Sequence, residues 1–227
     1  MTIIDRIERA LVIAPHPDDE VLGCGGTIAR LTAMGRIVDV AIVTRGFAPR
    51  FDLAQVDAVR DEALKAHRRL GVTRTHFLDL PAAELDCVPR ADLNRAIRDV
   101  VSQSGADTLF VPFVGDVHFD HGLVFEAAIV ASRPRGEGYP LRVLAYETLS
   151  ETNWAAPYFG PAFQPHLFVD IATSLDAKIE AFSCFASQVL PFPDERSIEA
   201  IRALAMLRGA CVSQRAAEAF TVIREVG

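Results

Sequence analysis

The sequence has no Cys-x-x-Cys pair. Its four cysteines, Cys24, Cys87, Cys184 and Cys211, are widely scattered. That spacing excludes a cysteine-built structural metal site and points to free thiols in a reducing, cytoplasmic setting. No basic run stands out, and the formal net charge is −7. This balance argues against nucleic acid or an anionic membrane surface as the partner. No stretch approaches the roughly 20 apolar residues of a transmembrane helix. Residues 1 to 9 are of mixed charge, and the apolar run after them is too short for a signal peptide. Internal repeats, linkers and low-complexity segments are also missing. What is present is a chain of 227 residues, half of them hydrophobic. That size and composition exclude general disorder and suit a single α/β domain over residues 1 to 227.

Strand and helix signals alternate over the first two thirds. Leu11 to Ala14 is a bounded apolar run of the kind that forms a buried parallel strand. The pattern predicts helices over Val21–Met34, Leu53–Leu70, Ala91–Ser102 and His121–Ser132, with Gly35 and Gly71 as stops. It predicts strands over Ile37–Val43, Thr75–Leu78, Asp107–Val111, Leu141–Tyr146 and His166–Ile171. Helices over Asp176–Phe185 and Ser197–Arg208 finish the chain. The alternation implies a mostly parallel sheet with helices on both faces. Gly23, Gly25 and Gly26 fall in the first turns of a helix, where glycine costs stability; close packing against the sheet explains them.

The first apolar run empties into Pro15-His16-Pro17-Asp18-Asp19-Glu20. In open α/β sheets, ligands bind at the carboxyl ends of strands. Taken singly, each acid is explained by a helix start, where capping and the helix dipole favour carboxylates. That does not explain His16 or the two prolines around it, which fix φ and stiffen the turn. Histidine with carboxylate is a common zinc pairing. We read His16 and Asp19 as ligands of a divalent metal and Asp18 as free for proton transfer. Glu20 keeps the structural reading. A second strand empties into Gly115-Asp116-Val117-His118-Phe119-Asp120-His121. Here His121 is the candidate third ligand, His118 a neighbour that does not bind, and Asp120 a carboxylate that orients an imidazole. Three protein ligands are the open arrangement of a catalytic zinc site.

Together, these two motifs resemble the PIG-L/LmbE family of zinc-dependent de-N-acetylases. Further likeness lies at Tyr146-Glu147, at Arg208-Gly209 and at Ala217-Glu218-Ala219-Phe220, so the resemblance runs along the whole chain. Phe119 departs from the family's usual proline, at a position outside the ligand set. The resemblance implies a Rossmann-like fold and hydrolysis of an acetamide on an amino sugar, a small-molecule substrate. It implies zinc on His16, Asp19 and His121, and Asp18 as general base. It implies His118, partnered by Asp120, as the group that stabilises or protonates the tetrahedral intermediate. A protonated His118 would fit that role, and Asp120 would favour the charged form. His118 and Asp18 are both candidates for protonating the leaving amine. Family members are often homo-oligomers, although no stretch here specifies an interface.

Other residues have weaker cases. Arg45, at a strand end, is a candidate for substrate hydroxyls or phosphate. Glu147, just past a strand, is a candidate either for shaping the pocket or for stabilising the fold. Arg60 and Glu62 read as a helix-surface pair, His67 as a surface residue, and His76 and His166 as packing residues. Loops at Gly46–Asp52, Arg133–Pro140 and Asn153–Pro165 are expected to select the substrate. Trp154, Tyr158 and Phe159 of the last loop either fold back on the core or wall the pocket.

Two rival functions remain at this point. Gly23-Cys24-Gly25-Gly26 after a strand invites a nucleotide-binding reading, but the third glycine of a G-x-G-x-x-G would fall at Ile28. A metal-dependent phosphoesterase also uses His and Asp ligands, but usually needs more of them to hold two ions.

Overall fold

The structure is a computed structural model that describes residues 2–158 and 160–227. Its centre is one seven-stranded sheet, built from β1 (Arg9–Ala14), β2 (Ile37–Arg45), β3 (Arg74–Pro81), β4 (Thr108–Pro112), β5 (Arg142–Tyr146), β6 (Leu167–Asp170) and β7 (Ala217–Glu225). The spatial order is β3-β2-β1-β4-β5-β7-β6. β1 to β5 run parallel, whereas β7 is antiparallel to both its neighbours. Six helices complete the described chain: α1 (Asp19–Ala33), α2 (Leu53–Leu70), α3 (Arg90–Ser104), α4 (Phe119–Ala131), α5 (Leu175–Phe182) and α6 (Ile198–Ala210).

Period-two alternation on β1 feeds two separate cores. Ala10, Val12 and Ala14 join one cluster with Val21 and Leu31 of α1, Leu70 of α2 and Phe182 of α5. Leu11 and Ile13 join the other with Ile97 of α3 and Val124 of α4. A strand buried on both faces must be apolar throughout. Each fully buried Leu or Ile contributes about 1.5–3 kcal/mol of transfer free energy.

The predicted α/β architecture is present. Leu53–Leu70 matches α2 residue for residue, and Gly71 caps it at φ 75°, a left-handed turn that glycine adopts without a Cβ clash. Gly23 packs against the sheet as expected, because a Cβ there would fall inside the ring of Tyr146 on β5. The Tyr146 hydroxyl in turn donates to the Ile13 carbonyl at 2.9 Å. β7 was not predicted. Its sequence follows α6 and a short turn, and it enters the sheet antiparallel.

The strand order reverses between β1 and β4. Ala10, Leu11 and Val12 pair with Thr108, Leu109 and Phe110. The two polar motifs therefore leave the same edge of the sheet side by side, across the crevice where open α/β sheets bind ligands.

Candidate metal centre and active site

His16 lies in the turn between β1 and α1, Asp19 opens α1, and His121 lies in the first turn of α4. Asp19 Oδ2 accepts from the His16 backbone N–H at 2.8 Å. The same oxygen lies 3.4 Å from His16 Nδ1 and 3.3 Å from His121 Nε2. One ligand atom from each of the three residues falls within 4.8 Å of the others. The remaining nitrogen of each imidazole is already engaged. His16 Nε2–H donates to Asp120 Oδ2 at 3.0 Å, and His121 Nδ1–H donates to Asp116 Oδ2 at 2.8 Å. Asp116 is fixed in turn by the Thr152 hydroxyl, which donates to its Oδ1 at 2.6 Å. Carboxylates behind histidines set the tautomer and aim the free nitrogen.

Two observations test whether a cation fits. His121 Nε2 is buried and has no hydrogen-bond partner, an expensive arrangement unless the lone pair has a use. The centre also draws positive charge. Burial opposes protonation of His16, yet Asp120 and Asp19 raise its pKa to about 9. Burial likewise opposes protonation of His121, yet Asp19 and Asp116 raise it to about 10. Burial works against ionisation of Asp19, but His121 and His16 hold it well below the usual carboxylate range. Two protons on facing imidazoles supply the charge that a divalent cation would supply there. The residues fit the ion.

Asp18 does not join this cluster. It sits at φ 109° and ψ −28° as the N-cap of α1, a backbone strain of about 1–3 kcal/mol for a non-glycine residue. Its carboxyl meets Arg196 rather than the three clustered residues. The Oδ2 atom accepts from Arg196 Nη1 at 2.8 Å. Burial pushes its carboxyl pKa well up, and Arg196 opposes that push. Arg196 lies between α5 and α6 and was not anticipated. Only its fold neighbours, not its sequence context, mark it.

His118 caps α4. Its Nδ1 accepts the Asp120 backbone N–H at 3.2 Å, which leaves Nε2 to carry the ring proton. Burial and the charge on His16 lower its pKa to about 4. Asp120 acts in the opposite direction on His118, and its carboxylate also hydrogen-bonds His16. Asp120 also accepts from the Ala83 N–H at 2.8 Å, which ties the loop after β3 to the site.

A cleft of about 410 Å³ opens beside these groups, lined by His16, Asp18, His118, Glu151, Gln188 and Arg196. Arg45, Gly46, Arg50, Phe51 and Asp52 also line it, with Gln55, Val56, Val59 and Arg60 of α2. Arg45 thus reaches the cleft, where it also pairs with Asp57 at 3.3 Å. Glu147 does not line it. Both its oxygens accept from Arg208, at 2.7 and 2.6 Å, beside a separate cavity of about 700 Å³. Of the three loops expected to select substrate, Gly46–Asp52 lines the cleft. Asn153–Pro165 contributes instead to the separate cavity, and Arg133–Pro140 lines neither. Trp154 and Tyr158 are exposed, so they neither fold back on the core nor wall the cleft. Phe159 lies outside the described residues.

Three further readings change. His67 is buried and meets Glu20. Arg60 stacks 4.0 Å over the Phe77 ring and pairs with Asp79, while Glu62 accepts from Ser187 at 2.7 Å. His166 is exposed rather than packed.

A model of the PIG-L family, described as GlcNAc-PI de-N-acetylase, matches residues 11–132. That span opens in β1 and closes just past α4, so it contains both motifs. The chain belongs to the PIG-L family. A diacetylchitobiose deacetylase of Thermococcus kodakarensis is 28% identical to this PIG-L chain over 202 residues, 83% of this chain and 72% of that protein. A probable N-acetyl-α-D-glucosaminyl L-malate deacetylase 2 of Bacillus cereus is 30% identical over 198 residues, 79% of this chain and 83% of that protein. The crystal structure of GalB, the 4-carboxy-2-hydroxymuconate hydratase of Pseudomonas putida KT2440, superimposes with a TM-score of 0.77. It is 24% identical, and the match covers 96% of this chain and 97% of that one. That likeness is one of fold. The family match stops short of Arg196 and β7. Among the described residues, no helix is long and apolar enough to cross a membrane.

Proposed function

We propose that this PIG-L protein is a zinc-dependent hydrolase that removes the N-acetyl group from an N-acetylated amino sugar or its conjugate. The observation that carries the reading is the convergence of His16, Asp19 and the unpartnered Nε2 of His121 beside an acid, Asp18, that stands apart from them. The relatives that act on N-acetylated sugars supply the substrate class.

His16, Asp19 and His121 would hold the ion. When bound, zinc supplies Lewis acidity that polarises an acetyl carbonyl and acidifies a water. Asp18 accepts the proton of the attacking water, and burial makes its carboxylate a stronger base for that step. His118, neutral with its proton on Nε2, donates a hydrogen bond to the oxyanion that develops on the acetyl group. Protonated Asp18 then hands its proton to the leaving amine, because His118 has none to spare and stay a donor. Arg45 and Arg60 also line the cleft and would meet sugar hydroxyls.

The test is acetate release from N,N′-diacetylchitobiose and N-acetylglucosamine, with metal content measured on the same samples. Asp18→Asn should keep the ion and lose roughly 10²- to 10⁴-fold in kcat. His118→Ala should keep the ion and lose about 10²-fold or more. Full activity of Asp18→Asn with metal bound would remove Asp18 as the base and sink this mechanism.

A further inference from the structure

Glu20 follows the ligand Asp19 but is not one of the groups around the metal position. Its Oε2 accepts from the Asp18 backbone N–H at 3.1 Å. Its Oε1 meets His67 Nε2 at 3.0 Å, and His67 Nδ1 meets the Thr75 hydroxyl at 2.7 Å. Both Glu20 and His67 are fully enclosed, at 0% and 2% exposure. A continuous polar chain thus runs from the amide of Asp18 through α1 and α2 to β3.

An acid early in a helix that reaches back to the N-cap amide is a common helix-start device. Two features go beyond that role here. The residue whose amide is held is the one non-glycine residue of this turn in the left-handed region, at φ 109°. And the acid is itself gripped by a histidine from α2, the helix that lines the substrate cleft with Gln55, Val56, Val59 and Arg60. A backbone held off its preferred conformation stays there only if its surroundings over-determine it.

We infer that Glu20 and His67 are positioning residues for proton transfer. They hold the Asp18 backbone in the conformation that directs its carboxyl toward Arg196 and away from the metal ligands. The inference rests on the reading of Asp18 as the base. It leaves His16, Asp19 and His121 untouched as ligands, so metal content should not depend on Glu20.

Two measurements test it. The first is amide hydrogen exchange at Asp18 in metal-free protein without substrate. Glu20→Ala and His67→Ala should each speed exchange at least about tenfold, as for any amide released from a buried acceptor. Glu20→Gln should stay near wild type, because its carbonyl can accept the same N–H. The second is a kinetic cycle on N,N′-diacetylchitobiose. Glu20→Ala should lower kcat by about 10²-fold with the metal retained, the scale of a small misplacement of a catalytic group. In an Asp18→Asn background the same change should cost less than about twofold, since nothing is left to position. Unchanged exchange, or an equal loss of kcat in both backgrounds, overturns the inference and leaves a merely structural Glu20. If Asp18→Asn alone is fully active, the general-base reading fails instead, a different outcome. Should Glu20→Ala not fold, His67→Ala carries both arms with Glu20→Gln as the near-wild-type control, and unchanged exchange overturns the inference whether or not the probe sugar is turned over.

Discussion

Arg196 Nη1 stands 2.8 Å from Asp18 Oδ2 although 178 positions separate the two residues. The guanidinium is held on its other sides by the Gln188 side-chain carbonyl at 2.7 Å and the Ser150 hydroxyl at 3.1 Å. In the proposed mechanism Asp18 must be ionised to act as the base, and a fixed cation stands beside it. Burial raises the Asp18 pKa and Arg196 opposes the rise, so the pair sets where on the pH scale the base becomes available.

Replacing Arg196 should move that point. Activity that needs ionised Asp18 rises with pH through the Asp18 pKa. Arg196→Gln removes the group that lowers this pKa, so the acidic limb of kcat/KM should shift to higher pH. The measurement is the pH–rate profile of both proteins with the metal saturated. A limb that stays in place would belong to another group.

Metal affinity should depend on two carboxylates that do not touch the ion. Asp116 orients His121, and Asp120 orients His16. Asp116→Asn and Asp120→Asn should each weaken binding by about 10- to 100-fold, whereas His121→Ala should abolish tight binding. Competition titration against a chelator gives these constants directly. If Asp120→Asn binds the ion as wild type does and instead reduces only kcat, the carboxylate works through His118 after all.

Packing of α1 on the sheet should tolerate no side chain at one point. Gly23→Ala drives a methyl into the Tyr146 ring, and overpacking of this kind costs about 1–3 kcal/mol. Urea unfolding measures it. An unaltered midpoint would mean that the helix slides away at no cost.

Much of the site was legible because both motifs are local: each is a strand end followed at once by a helix start, and adjacent parallel strands bring such ends together. His16, Asp19 and His121 needed only that β1 and β4 be neighbours. Asp116 carried a weaker signal, an acid four residues past a strand, indistinguishable from turn chemistry until His121 was seen to lean on it. Arg196 carried none, since its role comes from how residues 183–197 fold over the crevice. His67 misled because α2 carries many charged residues and only one narrow stripe of it is buried. β7 escaped because strand alternation in Ala217–Glu225 says nothing about direction, and a C-terminal strand inserted antiparallel breaks the β-α rhythm that made the rest readable.

That insertion has a temporal consequence. β7 lies between β5 and β6, yet the ribosome makes it after both. Its Glu218 accepts from the Gly26 and Thr27 N–H groups of α1 at 2.9 and 2.7 Å and from Lys178 at 2.6 Å. A growing chain can pair β1 to β5 early, but β6 then waits without a partner, and α1 and Lys178 wait without the Glu218 carboxylate. Pairings between segments so far apart form late and leave a strand edge open to other chains in the meantime. The helix that carries Asp19 therefore gains its last partner only once β7 has been made.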